Sequence, residues 1–151
     1  MESSAVGEEI LQFVTFTLND ENYAVDILSV QEINRITEIT TVPNSDEFVE
    51  GVVNLRGKVI PIINLRNIFG FEEKPKDDSS RIIIMEINDI TNGLIVDSVS
   101  EVLRIPSSII EPTPPMSSGE NSKFIKGIAK LDNRLIILLD IDKLIGDKVE
   151  V

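Results

Sequence analysis

Residues 51–70 and 127–146 of this chain are two versions of one segment. Gly51-Val-Val-Asn-Leu-Arg-Gly-Lys-Val-Ile-Pro-Ile-Ile-Asn-Leu-Arg-Asn-Ile-Phe-Gly70 lies over Gly127-Ile-Ala-Lys-Leu-Asp-Asn-Arg-Leu-Ile-Ile-Leu-Leu-Asp-Ile-Asp-Lys-Leu-Ile-Gly146 without a gap, at an offset of 76 residues. Gly51/Gly127, Leu55/Leu131, Ile60/Ile136 and Gly70/Gly146 are identical, where ordinary composition gives about one chance identity in twenty positions. Lys58/Arg134, Val59/Leu135, Asn64/Asp140, Leu65/Ile141 and Ile68/Leu144 keep their chemistry. A fainter echo precedes each copy: Val25 to Ile36 resembles Val96 to Ile105 once two residues are dropped, which sets Glu32 against Glu101. Two similar half-domains follow, and the positions where they differ are where function is to be sought.

With 151 residues there is length for one domain or for two small lobes sharing a core. The expectation is a single domain over 11–146 with lobes at about 11–75 and 80–146, strands exchanged between them being an open alternative, and a disordered lead-in over 1–9. The apolar residues are mostly Ile, Val and Leu, which favour strands. Leu11 to Leu18 and Tyr23 to Ile27 form a hairpin around Asn19-Asp20-Glu21-Asn22, and Arg81 to Ile87 and Gly93 to Asp97 form another around Asn88-Asp89. Ile27, Val30 and Ile33 mark a helical turn or bend before the chain re-extends to Ile36. Within the two copies, Arg56-Gly57 and Asp132-Asn133 stand where a two-residue primed turn needs φ > 0. Pro61 has no N–H to donate, so its strand lies at an edge or carries a bulge there. A short helix capped by Asn44 or Ser45 is expected before Gly51, and a terminal one from Asp140 ended by Gly146. Phe71 to Ser80 reads as an exposed connection and Pro106 to Lys123 as the longest irregular stretch. Short strands with turns this regular point to small antiparallel barrels, an all-β fold with a few short helices.

The net charge of −12 opposes nucleic-acid binding, which rests on neutralising phosphates, and docking on anionic membrane. No apolar run reaches the roughly 18 residues of a spanning helix, and no signal peptide is recognisable, so the expectation is a cytoplasmic protein without membrane insertion. The absence of His and Cys removes Ser-His and Cys-His nucleophiles and imidazole or thiolate metal sites. No phosphate-cradling glycine loop is present, and Asp140-Ile-Asp142 lacks the Gly and distal Glu of a calcium loop. Paired carboxylates are the one enzymatic option left, and the 26 acidic residues are mostly solvated surface. No cofactor and no metal is expected.

The symmetry offers a better handle. The turn of the first copy holds Arg56 where the second holds Asp132, so Glu32 faces an opposite charge in one half while Glu101 faces a like charge in the other. An ion pair confined to the first lobe is the expectation. Surface pairs contribute only about 0–1 kcal/mol, so its use is to orient a binding loop.

Tyr23-Ala-Val-Asp-Ile27, Val30-Gln-Glu-Ile33, Val42-Pro43, Phe48 to Leu65 with its Gly-Val-x-Asn-Leu-Arg-Gly-x-x-Ile-Pro core, Gly93 to Asp97 and Gly127 to Asp142 resemble the CheW chemotaxis coupling proteins over nearly all of 11–146. The resemblance implies two SH3-like five-stranded barrels and a non-enzymatic adaptor with two partners. These are the regulatory domain of the histidine kinase CheA and the cytoplasmic tip of methyl-accepting chemoreceptors. It further implies a receptor groove drawing on Val14, Ile27, Val30, Ile33 and Val99, for each of which plain core packing is the alternative. Glu32, Arg56 and the turn Gly57 match the family's positions and are assigned to the kinase or adaptor interface or to an ion pair that orients the loop. The same module serving a related motility pathway, and a carboxylate enzyme, are the competing functions.

Overall fold

The computed structural model describes residues 8–43, 46–112 and 124–148. In chain order the strands are β1 (Ile10–Leu18), β2 (Glu21–Asp26), β3 (Val30–Arg35), β4 (Val49–Leu55), β5 (Lys58–Asn64), β6 (Arg81–Ile87), β7 (Ile90–Val96), β8 (Ser98–Pro106), β9 (Ile110–Glu111), β10 (Ile125–Leu131) and β11 (Arg134–Leu139). Helix α1 (Leu65–Ile68) follows β5 and α2 (Ile141–Lys148) follows β11. Single 3-10 turns at Ile27–Ser29 and Ser107–Ile109 precede β3 and β9. Among the described residues, all four tight hairpins turn on two left-handed residues: Asn19-Asp20, Arg56-Gly57, Asn88-Asp89 and Asp132-Asn133. That is the primed geometry whose twist matches paired strands.

The strands form two sheets, β3-β6-β7-β5-β4 and β9-β10-β11-β2-β1-β8. The first, lobe one, is drawn from residues 30–96; the second, lobe two, from 10–26 and 98–139. The division therefore does not fall between 75 and 80. Lobe one sits inside the sequence of lobe two, and the hairpin that completes each repeat copy comes from the other half of the chain. Parallel pairing achieves this: Ile62 to Asn64 of β5 lie beside Gly93 to Ile95 of β7, and Ile136 to Leu138 of β11 beside Asn22 to Ala24 of β2. Each sheet then closes on itself as a small SH3-like barrel. A Thr40–Val52 bridge closes lobe one, and β9 on β10 closes lobe two.

The two copies match bond for bond. Gly51 opposes Ile62 and Gly127 opposes Leu138, each beside a bulge one residue earlier. Asn64 and Asp140 both cap the following helix, accepting from the N–H of Asn67 (3.3 Å) and Lys143 (3.1 Å). The closing strand explains the repeated glycine. A Cβ on Gly51 would stand 2.3 Å from the Thr40 carbonyl oxygen, and one on Gly127 2.7 Å from Ile110 Cγ2 and 2.9 Å from the Glu111 oxygen. The earlier echo runs at one constant offset of 69, with nothing dropped: Asn19-Asp20 matches Asn88-Asp89, so Val25 corresponds to Leu94, while Glu32 and Glu101 keep their correspondence.

Pro61 pairs with Val52, whose own N–H and C=O bond to Thr40. Its nitrogen thus points away from β4, on the side where pairing with β7 begins only at Ile62, so β5 carries the proline as an interior strand, with the bulge on β4, and not at the expected edge. Three further local expectations change. Asp46 to Phe48 form a turn held by Phe48 N–H on the Asp46 carboxylate (3.0 Å), not a helix, and β4 starts at Val49; Asn44 and Ser45 lie outside the described residues. Gly146 does not end α2, which runs on to Lys148, whereas Gly70, at φ +76°, does stop the chain after α1. Pro106 to Glu111 are ordered as the end of β8, a 3-10 turn and β9, while most of the Pro-rich segment after them and residues 1–7 of the lead-in lie outside the described residues.

Each barrel has its own interior: Val53, Ile60, Ile62, Ile82, Ile84 and Ile95 in lobe one, Phe13, Ala24, Ile105, Ala129, Ile136 and Leu138 in lobe two. The largest core lies between them. Phe16, Leu18 and Tyr23 of one lobe pack there with Ile63, Ile83, Met85 and Leu94 of the other. Tyr23 stacks on Phe69 beyond α1, with ring centroids 5.7 Å apart, and burial beside Glu21 raises its hydroxyl pKa above the ordinary 10.0.

Candidate functional site

Two surfaces of different chemistry emerge. The first rims the inter-lobe core. β3 and β8 are edge strands, one from each sheet. Directly opposed residues of an antiparallel pair share a face, so register tells which side chains look toward that core. Val30 opposes Met85 and Ile33 opposes Ile83; Val99 opposes Phe16 and Val102 opposes Val14. All four opposed partners are buried in the inter-lobe core. Ile27, Val30 and Val99 pack half-buried against it, and Ile33 and Val102 stand 39% and 49% exposed. The structure therefore brings Ile27, Val30, Ile33 and Val99 together as an apolar strip. Val14 is corrected: at 2% exposure it is a core residue with no surface to offer. Val102 was missed, although the constant offset of 69 that pairs Val30 with Val99 also pairs Ile33 with Val102.

The second surface is the mouth of lobe one, a cavity of about 280 Å³ lined by Glu32, Arg56, Gly57 and Lys58 with Leu55 and Ile60. The Arg56 guanidinium donates to the Glu32 carboxylate through its two terminal nitrogens, Nη1 lying 3.4 Å from Oε1 and Nη2 closer to Oε2. A bulge in β3 between Val30 and Glu32 turns Glu32 onto the barrel-interior face beside Ile84. The turn that carries Arg56 is braced by Asn54, whose Oδ1 accepts from the Gly57 N–H at 2.9 Å. Arg56 holds the Glu32 carboxyl below its ordinary 4.5, and Glu32 raises the already basic Arg56.

The pair is not confined to lobe one. Arg134 reaches Glu101 at 3.4 Å, so lobe two draws its cation from the position equivalent to Lys58, two residues past the Asp132 turn. A left-handed turn can be followed by a basic residue on the strand as readily as it can contain one. The like-charge contrast misled because it weighed the turn position alone.

A CheW-like domain model matches residues 12–149. The chain belongs to the CheW family. This CheW-family chain is 38% identical over 150 residues to the chemotaxis protein CheW of Thermotoga maritima, covering 97% of this chain and 95% of that one. It is 36% identical over 147 residues to CheW of Klebsiella aerogenes, covering 97% and 89%. The crystal structure of scaffolding protein TtCheW from Thermoanaerobacter tengcongensis superposes with a TM-score of 0.82 at 42% identity, covering 95% of this chain and 90% of that one. The family is one of non-enzymatic chemotaxis scaffolds. Among the described residues of this CheW-family chain, no group of acidic side chains could hold a metal ion, and no helix is long and apolar enough to cross a membrane.

Proposed function

We propose that this chain is an adaptor that couples methyl-accepting chemoreceptors to the histidine kinase CheA, working in the cytoplasm at receptor arrays. The observation that carries the reading is the separation of two unlike surfaces on one shared core. An apolar strip on β3 and β8 suits the hydrophobic ridge of a helical receptor tip, which inserts apolar anchors into an apolar channel. The mouth of lobe one, with its fixed Glu32–Arg56 pair, suits a polar protein partner such as the kinase regulatory domain, because a prearranged charge pair selects orientation more than it adds affinity.

Titration of the purified chain against a receptor-tip fragment and against the CheA regulatory domain tests this. Val102→Thr, half exposed and outside the packed core, lowers receptor affinity by about 1 kcal/mol, the scale of one interface contact, and leaves kinase affinity alone. Val99→Thr does the same with an added packing cost. Arg56→Asn has the reverse pattern. Equal losses for both partners with every variant would defeat the two-surface reading.

A further inference from the structure

The chain passes between lobes twice among the described residues, at Ile27–Ser29 and at Asp97. The constant offset of 69 makes Leu28 the counterpart of Asp97, and the two crossings are treated oppositely. Leu28 is 90% exposed. Asp97 is clamped: its Oδ2 accepts from Arg66 Nη1 at 2.6 Å and from the Asn19 backbone N–H at 2.9 Å, and its own N–H donates to the Thr17 carbonyl at 3.0 Å. Arg66 comes from α1 of lobe one. Its Nη2 also donates to Asn19 Oδ1 at 3.3 Å and its Nε to the Glu72 carbonyl at 2.8 Å. One guanidinium thus joins the lobe-one helix, the β1–β2 turn of lobe two, the crossing residue and the segment after α1. The Arg66 and Asp97 side chains are 11% and 12% exposed; no other ion pair among the described residues that reaches these elements is so enclosed. Asp142 occupies the position of Arg66 in the second copy, and there its backbone oxygen accepts from Asn88 Nδ2 at 3.1 Å.

We infer that Arg66 and Asp97 form a latch that sets the orientation of the two lobes and, through Asp97 two residues before Val99, the spacing between the β3 and β8 walls of the apolar strip. Enclosed ion pairs contribute little net stability, because desolvation offsets the Coulomb gain, and their best-attested use is to select one geometry. Arginine's planar fork serves the three acceptors from three separate nitrogens held in one rigid plane, which a lysine's single ammonium nitrogen cannot reproduce. These are positioning residues: neither belongs to the strip itself. The consequence for receptor binding rests on the adaptor reading; the latch does not.

The chain has no cysteine, so spin labels can be placed through Val59→Cys on β5 and Leu135→Cys on β11, both exposed and one in each lobe. The expected distance distribution is narrow in the labelled parent and broad in both Arg66→Met and Asp97→Asn. The double variant is no broader than either single one, because the two residues act as a unit. Arg66→Lys, which keeps the charge and loses the fork, falls between. In parallel, receptor-tip affinity falls about tenfold in the latch variants while kinase affinity stays within twofold. Unchanged distributions in cooperatively folded variants overturn the latch, and so does loss of cooperative folding in all of them, Arg66→Lys included, which would make the pair a fold requirement. A parent that binds no receptor tip while its latch variants still broaden removes the adaptor reading and supports the latch.

Discussion

Arg56 occupies a left-handed conformation, φ +53°, which a long side chain adopts only at some cost. It is kept at a position where the other copy has Asp. The cost makes sense if the guanidinium is used, and Arg56→Asn isolates that use because Asn accepts the same backbone. The pair is exposed, so the thermal midpoint should stay within a few degrees. The carboxyl titration of Glu32 should move upward. Its folded pKa lies below the ordinary 4.5, so the pair contributes above that ordinary value and is lost as pH falls through the lower, folded one. Carbon-13 shifts of the Glu32 carboxyl against pH decide the matter, and an identical midpoint in parent and variant would mean that Arg56 does not hold it. Gly51 is constrained differently. A methyl there meets a backbone oxygen that cannot swing aside, and Gly51→Ala should cost about 2 kcal/mol or more in urea unfolding. Gly57, at φ +85° with open space around it, should lose only about 1 kcal/mol as Gly57→Ala.

Among the elements, hairpins were the most legible, because a two-residue Asn, Asp or Gly turn between β-branched runs is a local signal. The shared hairpin geometry gives a prediction of its own. Asn133 has φ +67° where the first copy uses Gly57; Asn133→Gly should leave the thermal midpoint within about 2 °C, because Asn already accepts the left-handed backbone and the little strain glycine relieves is offset by its greater freedom in the unfolded chain. A larger fall would show that Asn133 makes a contact beyond the turn. Helix starts were less legible. The acids of Asp46 to Glu50 look like a first helical turn, yet Val49 must begin the strand that pairs with Ile63. Sheet pairing overrides local propensity there. Gly70 and Gly146 are identical in sequence and opposite in role, since α2 continues while the chain after α1 must turn back to bring Arg66 and Glu72 together.

At the scale of the whole molecule, the dominant core lies between the lobes and draws on both. Neither barrel can keep that face dry alone, and the strands that complete each barrel come from the other half of the chain. Thermal unfolding should therefore be one transition, with calorimetric and van't Hoff enthalpies equal. Two resolved transitions would mean that the lobes are independent and that the inter-lobe core contributes little.

The repeat, read from sequence alone, determined that there are two like units, where their turns lie, that the fold is all-β, and that Glu32, Arg56 and the strip residues stand at related places. These are properties of local periodicity and self-similarity, carried by neighbours in the chain. Tertiary structure alone decided which hairpin completes which barrel, that Val14 is enclosed while Val102 is open, that Arg134 answers Glu101, and that Arg66 clamps Asp97. Each of these depends on groups distant in sequence meeting across parallel strand pairs or across the lobe boundary. A linear pattern carries the faces of a strand, and only closure of the barrels determines what each face meets.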